Sequence, residues 1–152
     1  MHRMIAIGLF LVLSASGLAQ AEDGDFANIK VRVEGIRDNK GEIGVALFNS
    51  PKGYPTHLEH AYEPKWLSLA EGPKAVDVVF EGIPFGDYAV SVLHDENGNR
   101  KLERSTLGFP EEGVGFSNDQ KVKLSAPSFK ASKFSISNST DIQMVIKLDY
   151  RE

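Results

Sequence analysis

From residue 28 onward the chain alternates apolar and polar side chains in short bursts separated by glycine and proline. In "NIKVRVEGI" (28–36), Ile29, Val31 and Val33 fall on one side and Lys30, Arg32 and Glu34 on the other. A period of two marks a β-strand with one buried face. "EIGVALFN" (42–49) is an almost unbroken apolar run, which predicts a strand covered on both faces. Between them, "RDNKG" (37–41) predicts a hairpin turn with Gly41 at positive φ, where the lack of a Cβ removes the steric penalty. "AVDVVFEGI" (75–83) and "DYAVSVLHD" (87–95) form a second predicted pair around "PFG". "DIQMVIKLDY" (141–150) is the closing strand, with Ile142, Met144, Ile146 and Leu148 inward. "QKVKL" (120–124) and "FKASKFSIS" (129–137) are two further predicted strands.

The one candidate helix is "HLEHAYEPKWLSLA" (57–70), and Pro64 interrupts it by lacking an N–H and crowding the preceding turn. Short strands joined by Gly and Pro turns predict an all-β fold, a single antiparallel Greek-key sandwich of about seven strands. "GIPFGDYAV" sets Tyr88 at a strand entrance, where such sandwiches bond a tyrosine hydroxyl back to the crossing chain. An ordinary core aromatic is the other reading of Tyr88. Trp66, with Tyr54, His57, His60 and Tyr62 nearby, is either a platform for sugar rings or, the favoured reading, a cover for the open end of the core.

The N-terminus departs from this pattern. Met1-His2-Arg3 is followed by an apolar run from Met4 to Leu13 and by small residues ending in Ala19-Gln20-Ala21. A basic head, a short apolar middle and an A-x-A site make a secretory signal peptide. The run is shorter than the ~20 residues of a membrane span. The expected plan is a signal peptide at 1–21, a disordered lead-in at 22–27 and one β domain at 28–150, in a periplasmic or secreted protein. Cleavage leaves 131 of the 152 residues, enough for one self-sufficient core, and removes Arg3, taking the net charge from −4 to −5. With no cysteine, there is neither a disulfide framework nor a lipoprotein anchor. The mildly acidic balance argues against nucleic acid and anionic membrane surfaces, which attract clustered Lys and Arg. A monomer with no membrane span after cleavage is expected.

The stretch from His94 to Asn118 has little periodicity and concentrates oxygen-bearing side chains at its start. Asp95, Asn97 and Asn99 alternate, and Glu103 comes four residues later. Calcium takes six to eight oxygens, and an EF-hand loop supplies them from positions 1, 3, 5, 7 and 9. With Asp95 as position 1, the set is Asp95, Asn97, Asn99, the carbonyl of Lys101, and Glu103. Position 6, normally Gly, is Arg100, and position 12, normally Glu, is Thr106, so this is no EF-hand. Glu111, Glu112 or backbone oxygens would have to complete the shell. The alternative is a polar turn around Asn97-Gly98 that binds nothing. Beside hard oxygen ligands, a single His94 is weak support for zinc or copper. Phe109, Val114 and Phe116 are expected to pin the loop to the domain.

The blocks "GIPFGDYAVSVLHDENGNRKLERSTLGFPEEGVGFSN" and "APSFKASKF", with a closing strand ending in Tyr, resemble a family of exported bacterial proteins, domain-of-unknown-function family 2141. That family usually has N-x-N-G-x-L-D in the amide loop, where this chain has Arg100 for Gly and Glu103 for Asp. The resemblance implies an exported β-sandwich, with an Ig-like or transthyretin-like layout, and carries no activity with it. The function expected first is a non-catalytic binding or accessory module of the envelope, facing an envelope protein or glycan. A structural or protein-interaction module with a calcium-braced loop is second. A carboxylate-based glycan hydrolase drawing on His94, Asp95, Glu103, Glu111 and Glu112 is third. The chain has no G-x-S-x-G or H-E-x-x-H motif.

Overall fold

Ile29, Val31 and Val33 are fully buried in the computed structural model, which describes residues 25–151, and their polar neighbours point outward as the alternation requires. The expected signal peptide lies outside the described residues. The strands are β1 (Phe26–Glu34), β2 (Glu42–Phe48), β3 (Glu63–Ser68), β4 (Ala75–Pro84), β5 (Gly86–Asp95), β6 (Gly113–Phe116), β7 (Phe134–Ile136) and β8 (Ile142–Lys147). One four-residue helix, α1 (Phe129–Ser132), starts with the Ser128 side chain accepting the Ala131 N–H. Among the described residues no helix is long and apolar enough to cross a membrane.

The strands form two sheets, β4-β1-β8 and β3-β2-β5-β6, with β7 paired to the opening residues of β5. Their inner faces share one core. Ile29, Val31 and Val33 of β1 and Val78 and Phe80 of β4 meet Ile43, Val45 and Leu47 of β2 and Val90 and Val92 of β5. The outer face of the larger sheet is also covered. Ala46 and Phe48 of β2 and Ala89 of β5 pack under Phe129 and Tyr54, and Val114 and Phe116 of β6 pack with Val122 and Leu93. This second cover is why β2 is apolar at every position from Ile43 to Phe48.

Several expectations are corrected. The fold is not wholly antiparallel: β8 runs parallel to β1, from Ile29 beside Ile142 to Glu34 beside Lys147. Residues 37–41 are not a hairpin turn, because β1 and β2 lie in different sheets. Gly41 does take a positive φ, +66°, and a Cβ there would overlap the Asp95 carbonyl. β4 and β5 are likewise not partners, since the chain crosses between sheets at Pro84–Gly86. The candidate helix at 57–70 reduces to a 3-10 turn, Leu58–His60, and Glu63–Ser68 is the edge strand β3. Pro64 lacks a ladder donor, which an edge strand tolerates. Residues 120–124 are loop, and 129–137 divide between α1 and β7. β1 begins at Phe26, inside the expected lead-in. Tyr88 matches the corner reading: its hydroxyl donates to the Pro84 carbonyl at 2.9 Å.

The layered packing sets an expectation for stability. Ile29→Ala opens a void in the shared core and should cost about 2–5 kcal/mol. Val145→Ala, on the open face of the smaller sheet at 55 % exposure, should change stability by no more than about 0.5 kcal/mol. Urea unfolding of both variants measures the contrast.

Candidate functional site

β5 ends in two buried polar residues, His94 and Asp95, which the alternation sends to opposite faces. His94 continues the inward row of Val90 and Val92. Its Nε2 lies 2.9 Å from the Lys40 carbonyl, which only accepts, so Nε2 carries the proton. Nδ1 then accepts the Tyr150 hydroxyl at 2.7 Å. That hydroxyl oxygen in turn accepts the Arg37 N–H at 3.2 Å. A tyrosine phenol is protonated at neutral pH and can donate here, and burial pushes it further above its ordinary range. The Arg37 guanidinium lies 4.6 Å from the centre of the Tyr150 ring. It also bonds both Glu96 oxygens, at 2.7 and 2.5 Å. A Cβ at Gly113 would overlap the Tyr150 ring, so this brace needs glycine there.

Asp38, His94 and Glu96 bring ligand-type atoms within 4.8 Å of one another. As arranged, the group braces the loop and does not present ligands. Both His94 nitrogens are engaged, and Glu96 is held by Arg37.

Asp95 organises the other side. Its Oδ1 accepts the N–H groups of Gly98 and Asn99 at 2.8 and 3.2 Å, and its Oδ2 that of Arg100 at 2.6 Å. Asn97 Oδ1 accepts the Asn99 N–H at 2.9 Å, and Asn99 Oδ1 accepts the Lys101 N–H at 2.8 Å. The Asn99 amide donates to the Glu103 carboxylate. Arg100 turns the chain at φ +59°, the sharp turn that an EF-hand loop makes with Gly at its sixth position. A left-handed turn costs a non-glycine residue about 1–2 kcal/mol. It is held here by the bond to Asp95 and by the guanidinium, which reaches Glu42 at 3.1 and 3.4 Å and lies 5.0 Å from the Trp66 ring centre.

Glu112 closes the loop. Buried at 4 % exposure, it accepts the N–H groups of Glu96 at 3.0 Å and Glu103 at 3.3 Å, clipping both ends of the segment. Burial, and then the adjacent Glu103 carboxyl, push its pKa up to about 7. The Asn99 amide, foremost, holds Glu103 below the ordinary carboxylate range. Glu103 Oε2 is buried without a hydrogen-bond partner. The structure thus gathers Asp95, Asn97, Asn99, Glu103 and Glu112 on one ordered loop. Lys101 contributes its backbone N–H and leaves its side chain exposed, and Glu111 is exposed.

The loop also walls a cleft of about 40 Å³ on the outer face of the larger sheet. Its floor includes Gly44, Ser91 and Leu93, its walls include Leu58, Leu102 and Val122, and Arg100 and Arg104 line it as well. Val114 and Phe116 are buried beneath, as expected, while Phe109 is half-buried under Arg151. Tyr54 and Trp66 of the aromatic segment cover this outer face, while Tyr62 packs edge-on against the core residue Tyr88. Tyr54 packs edge-on against Phe48 and Phe129, and Trp66 lies against the bare backbone of Gly44. Sequence reasoning missed the cleft, Arg37 and the role of Tyr150. Their partners lie dozens of residues away, and the one signal was the tyrosine that closes the last strand.

Residues 31–143 match the model of a family described as "Uncharacterized protein conserved in bacteria (DUF2141)". No curated protein and no solved structure matches the chain.

The raised Glu112 pKa fixes the sign of a pH effect. A carboxyl whose pKa is higher in the folded chain contributes stability that is complete below its unfolded value, near 4.5, and is lost as pH rises to about 7. In chelator, the wild type should melt at a lower temperature at pH 8 than at pH 5. Glu112→Gln, which mimics the protonated acid, should flatten much of that difference. Melting curves of both proteins across this pH range provide the check.

Proposed function

We propose, from the premise that the chain belongs to the DUF2141 family of bacterial proteins, that it is an exported, non-catalytic binding module of the cell envelope. Its binding face in this reading is the loop-covered outer face of the larger sheet. The observation that carries it is the cleft, with an apolar floor and two guanidiniums among its lining residues. Its lining holds no carboxylate, no side-chain amide and no Trp or Tyr ring, the groups that grip sugar hydroxyls and sugar faces. Trp66 has its ring engaged by Gly44 and Arg100. Both points support a protein partner, offering an apolar side chain beside a carboxylate, over a glycan. The titratable groups that a hydrolase would use hold backbone instead, which supports binding over catalysis: three N–H groups rest on Asp95 and two on Glu112. For the layout, an Ig sandwich keeps its first two strands in one sheet. Here β1 pairs β4 and β8 while β2 pairs β3 and β5, which supports the transthyretin-like description.

A calcium-braced loop is the second reading, favoured by the buried, unpartnered Glu103 oxygen and by the EF-hand-like turn at Arg100. Asp95, Asn97, Asn99, Glu103 and the Lys101 carbonyl would hold the ion, with Glu112 completing the set once deprotonated. The ion would supply charge balance to two adjacent carboxyls and lock the cleft wall.

Two measurements test these readings. A photo-crosslinking residue at Thr56, exposed beside the cleft, should give a discrete envelope-protein adduct in the native cell. Arg100→Glu with Arg104→Glu should remove it, and the same probe at Val145 should give none. Equal labelling from Thr56 and Val145 would count against the cleft. For the ion, millimolar calcium should raise the melting temperature of the processed protein over chelator. At a hundredfold excess over Kd the gain is about 2.7 kcal/mol, and Glu103→Gln should abolish it. No shift in the wild type rejects the ion.

A further inference from the structure

We propose that the protein docks on anionic lipid surfaces through two leucine-tipped loops. Leu107 is 82 % exposed and Leu124 97 %. Leu107 lies within a tight turn closed by the Gly108 N–H on the Ser105 carbonyl at 2.8 Å, beyond the Arg104–Pro110 bridge. Leu124 lies within a turn where the Lys123 N–H reaches the Ser125 carbonyl at 3.3 Å. The two loops spring from one base. Arg151 donates to the Val122 carbonyl and sets its guanidinium 4.9 Å from the Phe109 ring centre, so one side chain ties both roots. Arg104, Pro110, Val122 and Ala126 line the same cleft.

The charges fit a lipid headgroup layer. Residues 104–109 and 120–127 carry Arg104, Lys121 and Lys123 and no acid. All three cations are exposed. The acids nearest in sequence, Glu103, Glu111 and Asp119, sit at the loop roots. The net charge of −4 alone argues against an anionic surface, but locally the chain sets basic residues beside the two most exposed large apolar side chains among the described residues. Two separate leucines on loop tips make no continuous face for a folded partner. A lipid surface needs none: leucine enters the acyl boundary while lysine and arginine meet phosphate. The proposal does not depend on the cleft having a ligand.

The test is sedimentation of the processed protein, with residues 1–21 removed, with vesicles of phosphatidylglycerol in phosphatidylcholine and with phosphatidylcholine alone. Binding is expected to the anionic vesicles only, and to fall as salt rises. Leu107→Ser and Leu124→Ser should each weaken it about tenfold or more. Lys121→Ser and Lys123→Ser should each weaken it about fivefold. The leucine variants should keep the wild-type melting temperature, which separates lost docking from lost fold. Failure to sediment with anionic vesicles overturns the proposal, as does binding that survives both leucine changes. Leucine-dependent self-association without vesicle binding overturns it too and marks the tips as a protein surface.

Discussion

One carboxylate holds the loop end of the molecule together. Asp95 stands at the last position of β5, fully buried, and accepts three successive backbone N–H groups of the chain that follows it. An ionised acceptor bonded to backbone donors in a dry setting is stronger than a neutral one. Losing it would also strand the Gly98 and Arg100 donors with no ladder to join, leaving Asn99 only its bond to Asn97. The turn at Arg100, the clip at Glu112 and the Leu102 wall of the cleft all lie downstream of that bond. Behind it, His94 ties the same strand end to Lys40 and Tyr150, so β5 is anchored on both faces where the loop leaves it.

The two anchors serve different layers. The His94 side faces the shared core and joins the closing chain at Tyr150 to the link between β1 and β2. The Asp95 side faces the outer cover, where loops rather than a third sheet shield β2 and β5. Such a cover has few ladder bonds and rests on isolated apolar plugs such as Tyr54, Val122 and Phe129. It is the part of the fold in which a bound ion or partner would alter order most, because local opening there leaves the sheets intact.

The strands were legible where one face is buried and the other wet, as in β1 and β8. They were also legible where both faces are covered, as in β2. Partnership between strands was not. Alternation reports which side of a strand is buried but not which neighbour lies beside it, so "RDNKG" and "PFG" read as hairpins although each carries the chain from one sheet to the other. β3 was hidden because His57 to Ala70 mixes helix formers with a proline, and its one packing requirement, Trp66 against Gly44, is a tertiary one. In the site, the oxygen spacing from Asp95 to Glu103 was plain from sequence. The clip at Glu112 was legible only as one of two adjacent acids, since burial alone distinguishes it from exposed Glu111.

The parallel pairing of the first and last strands bears on when the chain can fold. Ile29 lies beside Ile142 in the register, so the smaller sheet joins residues from opposite ends of the sequence. Closing so long a loop is entropically costly, and folds dominated by distant contacts form slowly. A chain emerging N-terminus first has β4 available for β1 but no β8. The central strand of the smaller sheet then keeps one open edge until residues 142–147 are available. Closure of the smaller sheet therefore depends on residues 142–147, while the larger sheet and the β1–β4 pair can form without them.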